Sequence, residues 1–152
     1  MRIIGGKSKG KKINIPKDNK TRPLRDLVKE SIFNLLEHSN KFNTSVFNAN
    51  ILDLFSGTGS FGLECYSRGA KFITFIENYS KALEILKKNI LVLGAAKSSK
   101  VIENNCFEYL RSDKNLTSRF DIIFLDPPYR EEKINYLIDK IKDENLLKNN
   151  GI

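Results

Sequence analysis

Asp126-Pro-Pro-Tyr129 is the stretch whose residue types most directly suggest chemistry. A carboxylate and the carbonyl of the next residue can together accept the two hydrogens of an exocyclic amine. Such an amine is a poor nucleophile, because its lone pair is delocalised into the ring that carries it. Holding both N–H bonds aims the lone pair outward. Proline has no N–H to donate and a fixed φ, so Pro127 offers a stiffly held carbonyl. Tyr129 supplies a ring on which a base can stack, a contact worth ~1–3 kcal/mol. Pro128 and Arg130 flank it and are candidate substrate contacts.

A second candidate lies upstream, in Ile51-Leu-Asp-Leu-Phe-Ser-Gly-Thr-Gly-Ser-Phe-Gly62. An apolar run surrounds Asp53, then a glycine-rich turn leads into a helical pattern. This predicts a buried strand that feeds a tight loop and a helix N-terminus, where backbone N–H groups and a positive dipole end face a ligand. Gly57 and Gly59 allow close approach to the backbone. The spacing Gly57-x-Gly59-x-x-Gly62 also satisfies the dinucleotide fingerprint. Glu77 lies at the next strand end, followed by Asn78, and a carboxylate there can accept both ribose hydroxyls of an adenosine. At the third strand end, Asn105 and the backbone N–H of Cys106 can read an adenine edge. Asp53 is placed to face an ammonium rather than a pyrophosphate, which favours S-adenosylmethionine over NAD. Phe55 belongs to the same expected cofactor wall.

The elements that must position these residues follow from the apolar pattern. Short strands at Arg2-Ile3-Ile4 and at residues 11–15, joined by Gly5-Gly-Lys-Ser-Lys-Gly10, predict a β-hairpin closed by Pro16. A helix is expected from Thr21 or Arg22 at its cap, with Pro23 in its first turn and a stripe of Leu24, Leu27, Val28, Ile32, Leu35 and Leu36. From Ile51 onward strand and helix alternate. The strands are 51–55, 72–76, one beginning at Val101 and 120–125. The helices are 60–68, 80–93 with Ser80 as cap, a turn around 107–110, and 132–148. Near-continuous apolar strands separated by helices imply an α/β parallel sheet covered on both faces, with ligands beyond its C-terminal strand ends. Asp53, Glu77 and Asp126 all fall there. Gly151 reads as a helix stop and Ile152 as the start of another strand, so the sequence is taken to be incomplete at its C-terminus.

The 152 residues suffice for one domain. No apolar run approaches the ~20 residues of a membrane span, and Met1–Ile4 shows no signal-peptide core. Cys65 and Cys106, the only cysteines, are unpatterned and point to reduced thiols in a cytoplasm; with His38 the sole histidine, no metal is expected. The net charge of +8 is concentrated. Residues 1–30 hold ten Lys/Arg against three acids, a surplus of seven. Uniform lysine enrichment would spread that charge, whereas a polyanion-binding element gathers it. Arg2, Lys7, Lys9, Lys11, Lys12 and Arg22 are the candidate phosphate contacts.

The whole chain resembles the RsmD family of bacterial 16S rRNA guanine-N2 methyltransferases. The resemblance is carried by Arg2-Ile-Ile-Gly-Gly-Lys-Ser-Lys-Gly-Lys-Lys-Ile13, Thr21-Arg-Pro-Leu-Arg-Asp-Leu-Val-Lys-Glu30, Asp53-Leu-Phe-Ser-Gly-Thr-Gly59, Ser67-Arg-Gly-Ala70, Glu77 and Asp126-Pro-Pro-Tyr129. Asp-Pro-Pro-Tyr alone also occurs in adenine and cytosine-N4 methyltransferases; the N-terminal segments make the match specific. It implies a Rossmann-like class I S-adenosylmethionine-dependent methyltransferase sheet over residues 51–152. A basic hairpin and helix over 1–40 would serve as an RNA-binding extension. It also implies a monomer acting on a guanine of 16S rRNA or the small ribosomal subunit, with the base turned out of its stack. Cofactor roles would pass to Asp53, Gly57, Gly59 and Glu77, and substrate roles to Asp126 and Tyr129. Two features depart from the family: Asn105 stands where Asp is common, and the strands that follow in the family are missing after Ile152. The alternatives weighed are an RNA-binding or assembly module, a DNA amino-methyltransferase and an NAD-dependent oxidoreductase.

Overall fold

A computed structural model describes residues 1–16, 24–38, 42–111 and 119–152. Four strands form one parallel sheet in the order β3-β2-β1-β4. They are β1 (Asn50–Asp53), β2 (Phe72–Glu77), β3 (Ser99–Glu103) and β4 (Ile122–Phe124). Alternation along each strand splits the apolar residues between two faces. Ile51, Ile73, Phe75 and Ile122 pack with α1 (Asp26–His38), α2 (Ser60–Ser67) and α3 (Ser80–Leu93). Leu52, Ile76 and Ile123 pack with α4 (Cys106–Arg111) and α5 (Ile134–Asp143) on the other side. The sheet is thus covered on both faces, as the strand composition predicts, and the strand order reverses direction between β1 and β4.

The N-terminal hairpin forms, but its ladder is short. Arg2 and Lys12 make one antiparallel bridge, Ile3 N–H donates to Lys11 O, and Ile13 N–H donates to Met1 O. Its turn contains a 3₁₀ segment, Gly6–Ser8. This turn lies against the C-terminal end of α2. A Cβ at Gly6 would fall 1.9 Å from the Ser67 carbonyl oxygen, and φ there is +69°. Ser8 N–H donates to Ser67 Oγ, which donates in turn to Gly5 O. The glycines therefore serve close docking as well as the turn.

Three sequence expectations shift. Helix α1 begins at Asp26, not at residues 21–22, and Thr21, Arg22 and Pro23 lie outside the described residues. Its buried face is Lys29, Phe33 and Leu36, whereas Leu27 (75% exposed), Val28 and Leu35 point to solvent. Ile32 and Leu36 of the expected stripe do face the core; Lys29 joins them because its ammonium has acceptors inside: Arg2 O at 2.6 Å and the carboxylates of Asp26 and Glu64 at 3.5 and 3.8 Å. Helix α3 has Tyr79 at its cap and Ser80 as its first residue; the Glu77 carboxylate takes the N–H groups of Asn78 and Tyr79 instead. Helix α5 stops at Asp143 rather than 148. Asn145 adopts φ +49°, and Leu146 N–H bonds back to Ile141 O, which satisfies the last turn. Residues 146–148 then run parallel to Phe120. Ile152 donates to Asp121 O and accepts from Ile123 N–H, the pattern of a parallel neighbour beside β4.

Candidate active site

The first strand ends one residue before a tightly bonded loop. Ser56 N–H and Oγ both reach Ile76 O, and Oγ also reaches Asp53 O, so the exits of β1 and β2 are clamped together. Gly57 and Gly59 take φ +53° and +83°, a region that costs other residues strain. Gly57 N–H donates to Glu77 Oε2 at 2.7 Å, while Glu77 Oε1 accepts Asn78 and Tyr79. Glu77 thus ties the glycine loop to the start of α3. Gly62 lets α2 lie flush on β2; a Cβ there would meet the Phe75 ring at 2.3 Å.

Asp53 is buried, and its Oδ2 accepts Gly62 N–H at 3.2 Å. Burial pushes its carboxyl up to about 7; the Gly62 bond opposes the rise, and the charges of Asp126 and Glu77 add to it. Across the sheet, β4 delivers Asp126 to the rim, where partial desolvation raises its carboxyl. No described residue donates a hydrogen bond to the Asp126 carboxylate or the Pro127 carbonyl. A turn closed by Glu131 N–H to Pro128 O leaves Tyr129 fully exposed.

These pieces meet in one cavity of about 1010 Å³. Its walls include Asp53, Phe55, Gly57, Glu77, Asn78 and Asn105 on one side, and Asp126, Pro127, Pro128, Tyr129 and Arg130 on the other. The strand order places both sequences at the C-terminal strand ends flanking the β1/β4 reversal, where open α/β sheets bind ligands. Two expected cofactor residues are not on the wall. Gly59 lies behind it, facing Leu86, and Cys106 is buried with its thiol pushed up to about 11 by desolvation. Asn105 lines the cavity, yet its Oδ1 is already bonded to Phe107 N–H at 2.9 Å.

Arg2, Lys7, Lys9, Lys11 and Lys12 do not line the cavity, and Arg22 lies outside the described residues. Lys7 stacks over Tyr66 with Nζ 3.7 Å from the ring centroid, near the far end of α2, about 9 Å along the helix from Ser60 at the wall. Lys9, Lys11 and Lys12 are exposed on the same hairpin. Arg2 Nε pairs with Asp26 at 3.2 Å. Sequence reasoning missed Thr58, Ser60, Phe61, Phe124 and Glu131 on the wall. Phe61 and Phe124 stack at 3.8 Å, a contact between α2 and β4 with no signature along the chain.

Among the described residues the wall carries four acids, Asp53, Glu77, Asp126 and Glu131, against one base, Arg130. A pyrophosphate would be repelled there, and a cation attracted. Among the described residues no cluster of three or more His, Cys, Asp or Glu could hold a metal, and no helix is long and apolar enough to cross a membrane.

The family described as "Conserved hypothetical protein 95" matches residues 1–152. The chain belongs to this family, the RsmD family. Among relatives, Ribosomal RNA small subunit methyltransferase D of Escherichia coli K12 is 35% identical over 153 residues, covering 97% of this chain and 72% of its own. The protein of the same name from Haemophilus influenzae is 33% identical, covering 100% and 76%. Among solved structures, yhhF from Escherichia coli superposes with TM-score 0.81 at 31% identity, over 97% of this chain and 75% of that one. The SAH-bound methyltransferase PaMTH1 of Podospora anserina gives 0.59 at 26%, over 67% and 43%. The RsmD-family sheet seen here is the Rossmann-like sheet of class I S-adenosylmethionine-dependent methyltransferases.

Proposed function

We propose that this protein transfers a methyl group from S-adenosylmethionine to the exocyclic N2 of a guanine in small-subunit rRNA, in the cytoplasm. The observation that carries the reading is the single cavity joining the glycine loop to Asp126-Pro-Pro-Tyr129. Its residues fit the cofactor. A buried carboxyl without a cationic partner, Asp53, faces the space where an ammonium would sit. Glu77 keeps one lone pair, on Oε2, for a ribose hydroxyl beyond its three backbone bonds, and Asn105 with Phe55 lines the adenine end. The acidic wall suits a ligand with a sulfonium and an ammonium and opposes the NAD-dependent alternative.

The cofactor supplies an already activated methyl on a positively charged sulfur. The protein's task is then alignment. Asp126 and the Pro127 carbonyl accept the two N–H bonds of the base amine and turn its lone pair toward the glycine loop. Tyr129 stacks on the base, and Pro128 and Arg130 hold its flanks. As the amine becomes positive, the Asp126 carboxylate stabilises the charge and is positioned to receive the proton. Residues 1–40 act as the RNA-binding extension of the 51–152 core, with Lys7, Lys9, Lys11, Lys12 and Arg22 on phosphates.

The test is tritiated methyl transfer to unmodified small subunits and to duplex DNA, with the parent chain and Asp126→Ala. Label on one guanine N2 of the rRNA, abolished by the substitution, is expected. Label only on DNA would favour the DNA amino-methyltransferase. RNA binding by the parent without transfer would favour the RNA-binding module.

A further inference from the structure

Asn89 joins parts of the molecule that the proposed reaction keeps separate. It lies on α3, is fully buried and does not line the cavity. Its side chain makes four hydrogen bonds. Oδ1 accepts Asn14 N–H at 2.7 Å and Asn14 Nδ2 at 3.0 Å. Nδ2 donates to Asn14 O and to Thr58 O, each at 3.0 Å. An amide has two donor hydrogens and two acceptor lone pairs, so this one is saturated. Three of its four bonds go to the N-terminal segment, and the fourth holds the peptide between Gly57 and Gly59. That peptide is flanked by two left-handed glycines and lines the cavity.

The other loop contacts all come from the core: Gly57 N–H to Glu77, Gly59 N–H to Ser56 O, and Ser56 to the strand exits. Among the described residues the basic segment reaches this wall at two points: Ser60 Oγ, at the start of α2, donates to Met1 Sδ at 3.2 Å, and the Thr58 carbonyl is restrained through Asn89. Were Asn14 to withdraw, Asn89 would be left as a buried amide with one bond. It would have to turn toward water and release Thr58, because an unsatisfied buried amide is costly.

The geometry points to Asn89 as a positioning residue that couples the basic N-terminal segment to the cofactor loop. Nucleic acid held by the segment's lysines tightens cofactor binding, and the cofactor tightens the grip on nucleic acid by the same factor. This rests on the methyltransferase reading of the cavity. Ordering the segment on phosphates keeps Asn14 in place, which keeps Asn89 and the Thr58 peptide in place. The loop then needs no further ordering when the ligand arrives.

The experiment is calorimetric titration of S-adenosylhomocysteine into the parent, Asn89→Ala and Asn14→Ala. Each is measured alone and with a saturating transcript of small-subunit rRNA. In the parent, RNA should tighten the ligand by about fivefold or more. Asn14→Ala changes an exposed residue, leaves the core intact and removes one of the three bonds between Asn14 and Asn89, the other two being to its backbone; it should lower that factor by less than Asn89→Ala does. Asn89→Ala should weaken the ligand and bring the factor close to one. RNA affinity measured without ligand should stay within about twofold in both, since no phosphate contact changes. A parent that binds the ligand with the same affinity with and without RNA overturns the coupling and leaves the methyltransferase reading standing. So does a factor undiminished in both variants. A parent that does not bind S-adenosylhomocysteine overturns both.

Discussion

The two sides of the cavity are built in opposite ways. On the glycine-loop side, nearly every polar group is already committed within the protein. Gly57, Gly59 and Gly62 N–H groups are bonded, both Glu77 oxygens are in use, and Ser56 and Asn89 are saturated. On the Asp126 side, the carboxylate and the Pro127 carbonyl have no described donor, and Tyr129 stands free in solvent. One side is preorganised in shape, and the other holds acceptors in reserve. A methyl donor bound repeatedly in one pose needs the first. A base amine that must be gripped only when it enters needs the second.

This contrast can be broken experimentally, and the largest effect should come from the open side. Asp126→Ala should lower kcat for methyl transfer by about 100-fold or more, the scale expected when a reacting group loses its alignment. Affinity for S-adenosylhomocysteine should stay within about twofold, by calorimetry. A matching loss of ligand affinity would mean that the two sides are not separate.

The stiff side should answer in stability. Gly62→Ala drives a methyl into the buried Phe75 ring, an overpacking that costs ~1–3 kcal/mol. At ~2–4 °C per kcal/mol for a chain of this size, the melting temperature should fall by several degrees, measured by calorimetry. An unchanged melting temperature would show that the helix–strand contact is loose.

Asp53 sharpens the contrast through pH. Its folded-state carboxyl is raised to about 7, above the usual value of 3.8. Its contribution to stability is therefore full below the unfolded value and is lost as pH rises through about 7. Asp53→Asn keeps an acceptor for Gly62 N–H and removes the charge. It should raise the melting temperature relative to the parent at pH 8, with the gap closing toward pH 4. An ionised Asp53 also suits an ammonium, so parental ligand affinity should climb between pH 6 and 8, and the asparagine variant should lose that climb.

The smallest effect is expected at the hairpin. Replacing Lys9 and Lys12 by Gln should weaken rRNA binding modestly and leave ligand affinity unchanged. The slope of log affinity against log salt should flatten by ~0.7–0.9 for each lysine that touches a phosphate. A slope identical to the parent's would remove these lysines from the interface.

Much of this was legible along the chain. Strands 51–55, 72–76 and 120–125 were recognisable because a parallel strand buried on both faces must be apolar nearly throughout. Asp53, Gly57, Glu77 and Asp126 stood out as polar or glycine interruptions at the ends of those runs. What could not be read was contact between distant segments. Leu27, Val28 and Leu35 gave a better apolar stripe than Lys29 and Phe33, but periodicity cannot show that Arg2 O and Glu64 wait to receive an ammonium. Helix α5 ends earlier than the apolar pattern predicts, because Asn145 in a left-handed conformation gives a weaker stop signal than glycine.

The sequence alone determined which residues could carry chemistry and that strand ends would present them, since residue type, strand burial and turn preference are local properties. Tertiary structure decided that β4 lies beside β1, so that Asp126 shares a cavity with Gly57. It also decided that the lysine-rich turn docks at the far end of α2, and that Asn89 bridges Asn14 to Thr58. These depend on which surfaces meet across dozens of residues of chain, and no local pattern of residue types encodes that.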